Sequence, residues 1–442
     1  MRGRVLLSCL LSAVLIATGC TRHAPAEASQ PPAAAGVSLP GEYGGQEPGS
    51  LISANSMPTL DRRLNVATSV AARITYLSTS GIDGSQQEVS GTVFAPKGDP
   101  PDGGWPIIAY GHPTTGIRSE CAPSLDPMLL GLSTAVTGLV KAGFVVAVSD
   151  YQGLGLDRTY HPYLDATTEG HNLIDSVRAA RKLIPGTSDR WAAFGGSEGG
   201  QAAWAANELA AEYGGGLNLV GSASYSAPLA IDGFADAAVD GTLTSEQRLD
   251  LLQILTSLAK ESADFRLDDY RRGVASAKQQ SLLVCKGPEI AEREDLANQM
   301  SADDMRPIDQ QAADSLRTRL QEMSLPRLPA TAPMLIVYGG QDQIVPPTWT
   351  DRALDAACRK GDIIQIELQA DKGHADVDGG TAFPWVIDRF AGVPPRNDCP
   401  EFIGPPEPPV EPEATDGTAS SDTASSTTTD SAEAAAPSEA SE

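Results

Sequence analysis

Gly195-Gly196-Ser197-Glu198-Gly199-Gly200 is the stretch on which the reading of this chain turns. It fits G-x-S-x-G, the pattern of a serine held on a sharp turn between a strand and a helix. Such a turn strains the serine backbone and lifts its hydroxyl above the sheet edge. Strand and helix come so close there that a Cβ two residues to either side would clash, which accounts for glycine at 195 and 199. The pattern alone carries little weight. With 43 glycines in 442 residues, a chance match is expected in roughly one such chain in three. Its surroundings decide. Trp191-Ala192-Ala193-Phe194 before it is a short apolar run that suits a buried strand. Gln201 to Tyr213 after it is rich in alanine, lacks proline and glycine, and reads as a helix.

Working outward, the same alternation continues. Trp105 to Ala109 reads as a strand, Pro127 to Ala142 as a helix, Phe144 to Val148 as a strand and Thr168 to Leu183 as a helix. That last helix sets Leu173, Ile174, Val177 and Ala180 on one stripe. Leu217 to Ala223 is a further strand. Upstream, Val70 to Leu77 and Glu88 to Phe94 read as an antiparallel pair around a turn-rich link. Downstream come a strand from Pro333 to Val337, a helix from Pro347 to Cys358, a strand from Ile363 to Leu368 and a helix from Phe383 to Phe390. Strands apolar throughout and alternating with helices imply an α/β fold: a mostly parallel sheet covered by helices on both faces. From about Ala230 to Leu325 helical segments follow one another without strands. Ser245 to Lys260, with Leu249, Leu252, Ile254, Leu255 and Leu258, is the clearest, and Pro307 to Met323 is another. The expected organisation is a core over 51–229 and 327–403, with a helical cap at 230–326 inserted above the sheet edge. Part of the surface of Leu249, Leu252, Leu255 and Leu258 is expected to pack on the core and part to line an acyl pocket.

The chain ends have their own character. Arg2 and Arg4 precede an apolar run from Val5 to Ala17, too short to span a bilayer comfortably. Ala17-Thr18-Gly19-Cys20 resembles a bacterial lipobox, although Ala17 stands where that motif more often has leucine. The reading is a lipoprotein-type leader over 1–20 with lipidation at Cys20, hence a membrane anchor. The alternative is plain secretion after Ala24-Pro25-Ala26 or Ala26-Glu27-Ala28. Residues 21–50, rich in Ala, Pro, Gly and Ser, read as a tether, and the acidic low-complexity stretch 404–442 as a disordered tail. The formal charge is −25, and residues 401–442 hold ten acidic residues and no Lys or Arg. That argues against nucleic acid as a partner, which needs a basic face. Beyond Cys9 and Cys20 lie Cys121, Cys285, Cys358 and Cys399, an even count that in an exported chain implies two disulfides with three possible connectivities. No Cys/His spacing suggests a metal site, and no cofactor motif is present.

A serine hydroxyl becomes a nucleophile when a histidine takes its proton, and that histidine needs an acid to fix its tautomer. Chains that carry such an elbow run in the order serine, acid, histidine. Asp342, in Gly339-Gly340-Gln341-Asp342-Gln343-Ile344, follows a strand end, and His374, in Lys372-Gly373-His374-Ala375, follows the next strand. His23, His112, His161 and His171 all precede the acid and read as structural or surface residues. Two N–H donors are needed for the developing oxyanion. Glu198, next after the nucleophile, supplies one. The other belongs to the His112–Gly116 loop, where Pro113 has no N–H. Thr114 is the first choice there, with Thr115 and His112 as rivals.

Gly111-His112-Pro113-Thr114-Thr115-Gly116, Asp150-Tyr151-Gln152-Gly153-Leu154-Gly155, His161-Pro162-Tyr163, the Ser197 elbow and the Asp342 and His374 loops occur here in the order found in the secretory lipase family. Over roughly residues 50–400 the chain resembles these α/β-hydrolases of fungi and actinobacteria. The resemblance implies an acyl-ester hydrolase with a helical cap between the sixth and seventh core strands, acting on an acyl-ester or lipid substrate. It implies a site-shaping role for Asp150 to Gly155, which by itself reads as a structural loop. Cys358 ends one helix and Cys399 follows the last, so they are paired, leaving Cys121 for Cys285. The resemblance implies the same pairing. A cell-envelope acyltransferase or a serine peptidase on the same triad, or a binding protein that keeps the fold, are the competing functions.

Overall fold

The computed structural model describes residues 36–404. The leader, Cys20 and the acidic tail after 404 lie outside the described residues. Three antiparallel strands come first, β1 (Leu51–Ser56), β2 (Thr68–Thr79) and β3 (Gln86–Pro96), with a short helix α1 (Arg62–Ala67) between the first two. Strands and helices then alternate: β4 (Trp105–Gly111), α2 (Ser133–Lys141), β5 (Val145–Ser149), α3 (Ala166–Leu183), β6 (Thr187–Gly196), α4 (Glu198–Tyr213) and β7 (Asn218–Tyr225). Helices α5 (Gly233–Asp240), α6 (Ser245–Glu261), α7 (Gly273–Ala277), α8 (Gln279–Leu282), α9 (Ile290–Gln299) and α10 (Gln310–Met323) follow with no strand between them. Then β8 (Met334–Gly339), α11 (Pro347–Lys360), β9 (Ile364–Gln369), α12 (Ala382–Phe390) and α13 (Cys399–Phe402) close the chain.

The nine strands form one sheet in the order β1-β2-β3-β5-β4-β6-β7-β8-β9. The first three and the β3–β5 pairing are antiparallel, and every pairing from β5 onward is parallel. Successive side chains of a strand face opposite ways, and β4 shows the result. Ile107 and Ala109 pack with Leu173 and Ile174 of α3 and Ala202 of α4, whereas Ile108 and Tyr110 pack with Val136 and Val140 of α2 and Trp385 of α12. Both faces are therefore covered, and each fully buried Val, Leu or Ile on them contributes about 1.5–3 kcal/mol.

Three local features differ from the sequence reading. β1 was not expected; it pairs in register with β2 although its six residues show no clean apolar alternation. Residues 36–50, expected within the tether, run along β1: Leu39 N–H donates to Ala54 O at 2.9 Å, and Ser38 and Tyr43 bridge to Asn55 and Leu51. An open sheet edge captures backbone without needing an apolar run. Helix α2 starts at Ser133 rather than Pro127. The Asp126 side chain accepts from Met128 and Leu130 N–H, and Leu129 and Leu130 take positive φ, which holds that stretch in tight turns.

Helices α5 to α10 make a core of their own. Leu251, Leu252, Ile254, Leu255 and Leu258 of α6 are buried there with Phe234, Leu316 and Leu320, and the core reaches down to Tyr163 and Leu164. One disulfide, Cys121–Cys285, ties this segment to the loop after β4, and the other, Cys358–Cys399, ties α11 to α13.

Candidate active site

The loops at the C-terminal ends of β4, β6, β8 and β9 bring the predicted residues together. Ser197 stands between β6 and α4 with φ 52° and ψ −127°, a strained conformation for any residue with a Cβ. Its N–H donates to Tyr225 O at 2.9 Å, which pins the turn to β7. The glycines do what the motif requires. A Cβ on Gly199 would lie 2.1 Å from Gly111 O, and one on Gly195 would lie 2.2 Å from Gly199 O.

Ser197 Oγ lies 2.9 Å from His374 Nε2, and His374 Nδ1 lies 2.8 Å from Asp342 Oδ2. Asp342 accepts only, so Nδ1–H donates to it and Nε2 is left to accept the serine O–H. The carboxylate is itself fixed. Its Oδ1 accepts from the Ile344 and Val345 N–H groups at 2.8 Å each, and the residue is almost wholly buried. Ser226 Oγ donates to His374 O at 2.9 Å and holds the histidine loop to β7.

Glu198 N–H is the first amide of α4, so it has no acceptor within the helix and lies at the positive end of the helix dipole. Thr114, the other expected donor, is on the loop after β4. Its Oγ1 is 2.8 Å from Tyr163 OH, and Tyr151 OH donates to His112 O at 3.2 Å, so two buried tyrosines brace that loop. Asp150 ties the neighbouring loops: its Oδ2 accepts from Ser90 Oγ at 2.6 Å and its Oδ1 from Ser124 N–H at 2.9 Å.

A buried polar cluster beneath the serine was not anticipated from the sequence. His161 Nδ1–H donates to Gln152 O at 3.0 Å, and His161 Nε2 lies 3.1 Å from Glu198 Oε1. Glu169 lies beside them; its Oε1 accepts from Leu164 N–H at 3.0 Å. Burial first, and then the Glu198 charge, holds the Glu169 carboxyl well above the usual carboxylate range. His161, Glu169 and Glu198 are also the group among the described residues whose ligand atoms, all within 4.8 Å of one another, have the make-up of a metal site. The sequence reads His161 as a structural or surface residue, and the structure buries it. Its partners are 8 and 37 residues away, and nothing in the local sequence announces them.

A crevice of about 590 Å³ opens between the loop after β4, the acid loop and the helical segment. Thr114 and Thr115 of the β4 loop and Ile344 of the acid loop stand in its wall, and α6 forms the facing side. Part of the cap's leucine surface is expected to pack on the core and part to line an acyl pocket; of the four, Leu249 lines this crevice. Leu252, Leu255 and Leu258 are buried in the core of the helical segment instead. Asp250 also faces the crevice. Burial raises its carboxyl to about 7, against the pull of His374.

A family model, Secretory lipase, matches residues 129–398. No curated protein sequence matches the chain. Among solved structures, Candida antarctica lipase A in its closed state is 17% identical, over 81% of this chain and 86% of that one, with a TM-score of 0.64. The rice cell wall degrading esterase LipA from Xanthomonas oryzae, in a ligand-bound form, is 24% identical over 79% of this chain and 97% of that one, with a TM-score of 0.59. Identities this low establish a shared fold: a mostly parallel sheet with helices, as in α/β-hydrolases.

Proposed function

Since the chain belongs to the secretory lipase family, and so among lipase and esterase hydrolases, we propose that it cleaves carboxylic esters through a covalent acyl-enzyme on Ser197. His374 Nε2 takes the Ser197 proton as Oγ attacks the ester carbonyl. The tetrahedral oxyanion is held by Glu198 N–H and by Thr114, and one such donor is worth about 10²–10³ in rate. Collapse breaks the bond to the alcohol oxygen, and the His374 Nε2–H protonates that leaving alkoxide. A water then repeats the sequence on the acyl-enzyme: His374 takes its proton, the acid leaves, and Ser197 regains its hydrogen. Asp342 stays ionised throughout and stabilises the imidazolium between these steps.

The observation that carries this reading is the continuous chain from Ser197 Oγ through His374 to Asp342, with both links under 3 Å. The test is hydrolysis of an ester panel from acetyl to long-chain acyl, with Ser197→Ala beside the native protein. Activity retained by that variant would sink the proposal.

We place the protein outside the cytoplasm, anchored by a lipid on Cys20. The support is the lipobox-like Ala17-Thr18-Gly19-Cys20 and membership of a secretory family. No helix among the described residues is long and apolar enough to cross a membrane. Intact mass of membrane-extracted protein should show a diacylglyceryl group at Cys20; a soluble product beginning after Ala26 or Ala28 would rule it out.

A further inference from the structure

One short segment, His161-Pro162-Tyr163, is bonded to both residues expected to hold the oxyanion. His161 Nε2 lies 3.1 Å from Glu198 Oε1, and Tyr163 OH lies 2.8 Å from Thr114 Oγ1. Glu198 follows the nucleophile at the start of α4, whereas Thr114 is on the loop after β4, so the two are far apart in sequence. The segment lies outside every helix and strand. No regular backbone ladder fixes its place, and its own hydrogen bonds must do so.

Those bonds run to three neighbours. His161 Nδ1–H donates to Gln152 O at 3.0 Å, and the chain packs there so closely that a Cβ on Gly153 would lie 2.1 Å from Tyr160 C. Ser257 Oγ, on α6 of the helical segment, donates to His161 O at 2.8 Å, and Tyr163 N–H donates to that same Oγ at 3.4 Å. Asp165 N–H donates to Pro162 O at 2.9 Å and closes the turn into α3. His161, Tyr163, Glu198 and Ser257 are all buried. A hydrogen bond lost at that depth finds no bulk water to replace it, so the contacts hold as a unit.

We propose that His161 and Tyr163 are positioning residues for oxyanion stabilisation: the one grips Glu198, the other Thr114, and Ser257 ties both to helix α6. This rests on the ester-hydrolase reading above and on its two donors. The need is geometric. A donor helps only when it stands about 2.7–3.1 Å from where the oxyanion forms, so the two must be set relative to each other. The Glu198 amide is partly set already, because Gly200 and Gln201 N–H donate to Ser197 O at 2.8 and 3.1 Å and hold the peptide plane that carries it. The Thr114 loop has no such helical frame. Tyr151 braces it at His112 O, and Tyr163 at Thr114 itself. One segment bonded to both side chains therefore holds one donor against the other. Both residues act through the donors, so loosening them lowers kcat and leaves KM nearly unchanged.

The test uses 4-nitrophenyl butyrate and its thionoester, in which sulfur replaces the carbonyl oxygen. Sulfur accepts hydrogen bonds weakly and sits farther from the carbon, so donors placed for oxygen favour the ester. The readout is the ratio of the two kcat/KM values, divided by the same ratio for alkaline hydrolysis. It reads the donors themselves and cancels any general loss of folded protein. The native ratio should be about 10²–10³, the worth of one donor. Tyr163→Phe and Ser257→Ala should each lower it about threefold to tenfold, and His161→Leu about tenfold or more, parts of the about 10²-fold that a 1 Å misplacement can cost. His161→Gln, whose amide reaches toward the place of Nε2, should recover most of the ratio. A ratio unchanged in Tyr163→Phe and Ser257→Ala, whatever their melting temperatures, would mean that the segment only holds the fold and would overturn the proposal. So would a ratio in His161→Gln as low as in His161→Leu. If His161→Leu does not fold, the Phe and Ala variants decide. Two other outcomes are distinct. A native ratio near one, with Ser197 still labelled by a fluorophosphonate, brings down the choice of donors, and no turnover with no labelling brings down the hydrolase reading.

Discussion

Replacing Asp342 by asparagine should cost the enzyme about 10³–10⁵ in kcat while leaving the fold intact. The reason lies in which oxygen does what. Oδ1 accepts two backbone N–H groups, from Ile344 and Val345, at 2.8 Å each, and Oδ2 accepts from His374 Nδ1 at 2.8 Å. Asparagine has one oxygen to offer. If it keeps that oxygen on the backbone amides, its NH₂ faces His374 Nδ1 and forces that nitrogen to accept. The ring proton then sits on Nε2, where it cannot take the Ser197 proton. Turning the amide restores the histidine tautomer but sets NH₂ against two buried N–H donors. At about 1–3 kcal/mol for each donor left unpaired, that orientation is disfavoured by about 2–6 kcal/mol, or about 30-fold to 10⁴-fold. Loss of the charge that stabilises the imidazolium adds to this. A serine protease with the same change loses about 10⁴ in kcat. The assay is kcat and KM on 4-nitrophenyl butyrate beside a thermal melt. A kcat within tenfold of the native value would refute the reasoning and send the acid role to another carboxylate near His374.

Three further outcomes follow from the geometry. Gly199→Ala should destabilise by about 3 kcal/mol or more, because the new Cβ meets Gly111 O at 2.1 Å and neither backbone can yield; a denaturant melt equal to the native one would contradict this. Cys121→Ser with Cys285→Ser opens a loop of 164 residues and should lower stability by up to about 5 kcal/mol on the chain-entropy account, read as a lower denaturation midpoint; an unchanged midpoint would show that the helical segment holds without the tie. Glu169→Gln keeps an acceptor for Leu164 N–H and gains a donor toward Glu198. Because the folded Glu169 carboxyl titrates well above its ordinary range, the native protein binds that proton more tightly when folded. It therefore loses stability as pH rises above the unfolded value of about 4.3. The variant has no such slope, so its melting temperature relative to native should climb as pH rises from about 4 to 8. A flat difference would mean that Glu169 is ionised in the folded protein.

The parts of the site legible in the sequence are those whose signal is local. The elbow announces itself because steric crowding demands glycine on both sides of Ser197. Asp342 and His374 could be found because chain order and strand ends restrict where they stand. The His161–Glu169–Glu198 cluster could not, because its contacts join a loop, a helix and the elbow, and Glu169 reads locally as an ordinary first-turn acid of α3. Asp250 was hidden for a related reason. The leucines of α6 drew attention to its apolar face, but that face is used up within the helical segment. Which side of an amphipathic helix meets a crevice depends on what packs behind it, and α9 and α10 supply that packing. The N-terminal edge failed as a prediction because β1 and residues 36–50 are held by backbone pairing, which leaves little trace in side-chain pattern.

The account stands or falls on Ser197 as the atom that carries the acyl group. The measurement is stoichiometric labelling of the folded protein with a fluorophosphonate, followed by peptide mapping. The label should appear on the peptide containing Ser197, abolish ester turnover in proportion to its extent, and be absent from Ser197→Ala. A label on any other residue, or undiminished turnover in fully labelled protein, would contradict it.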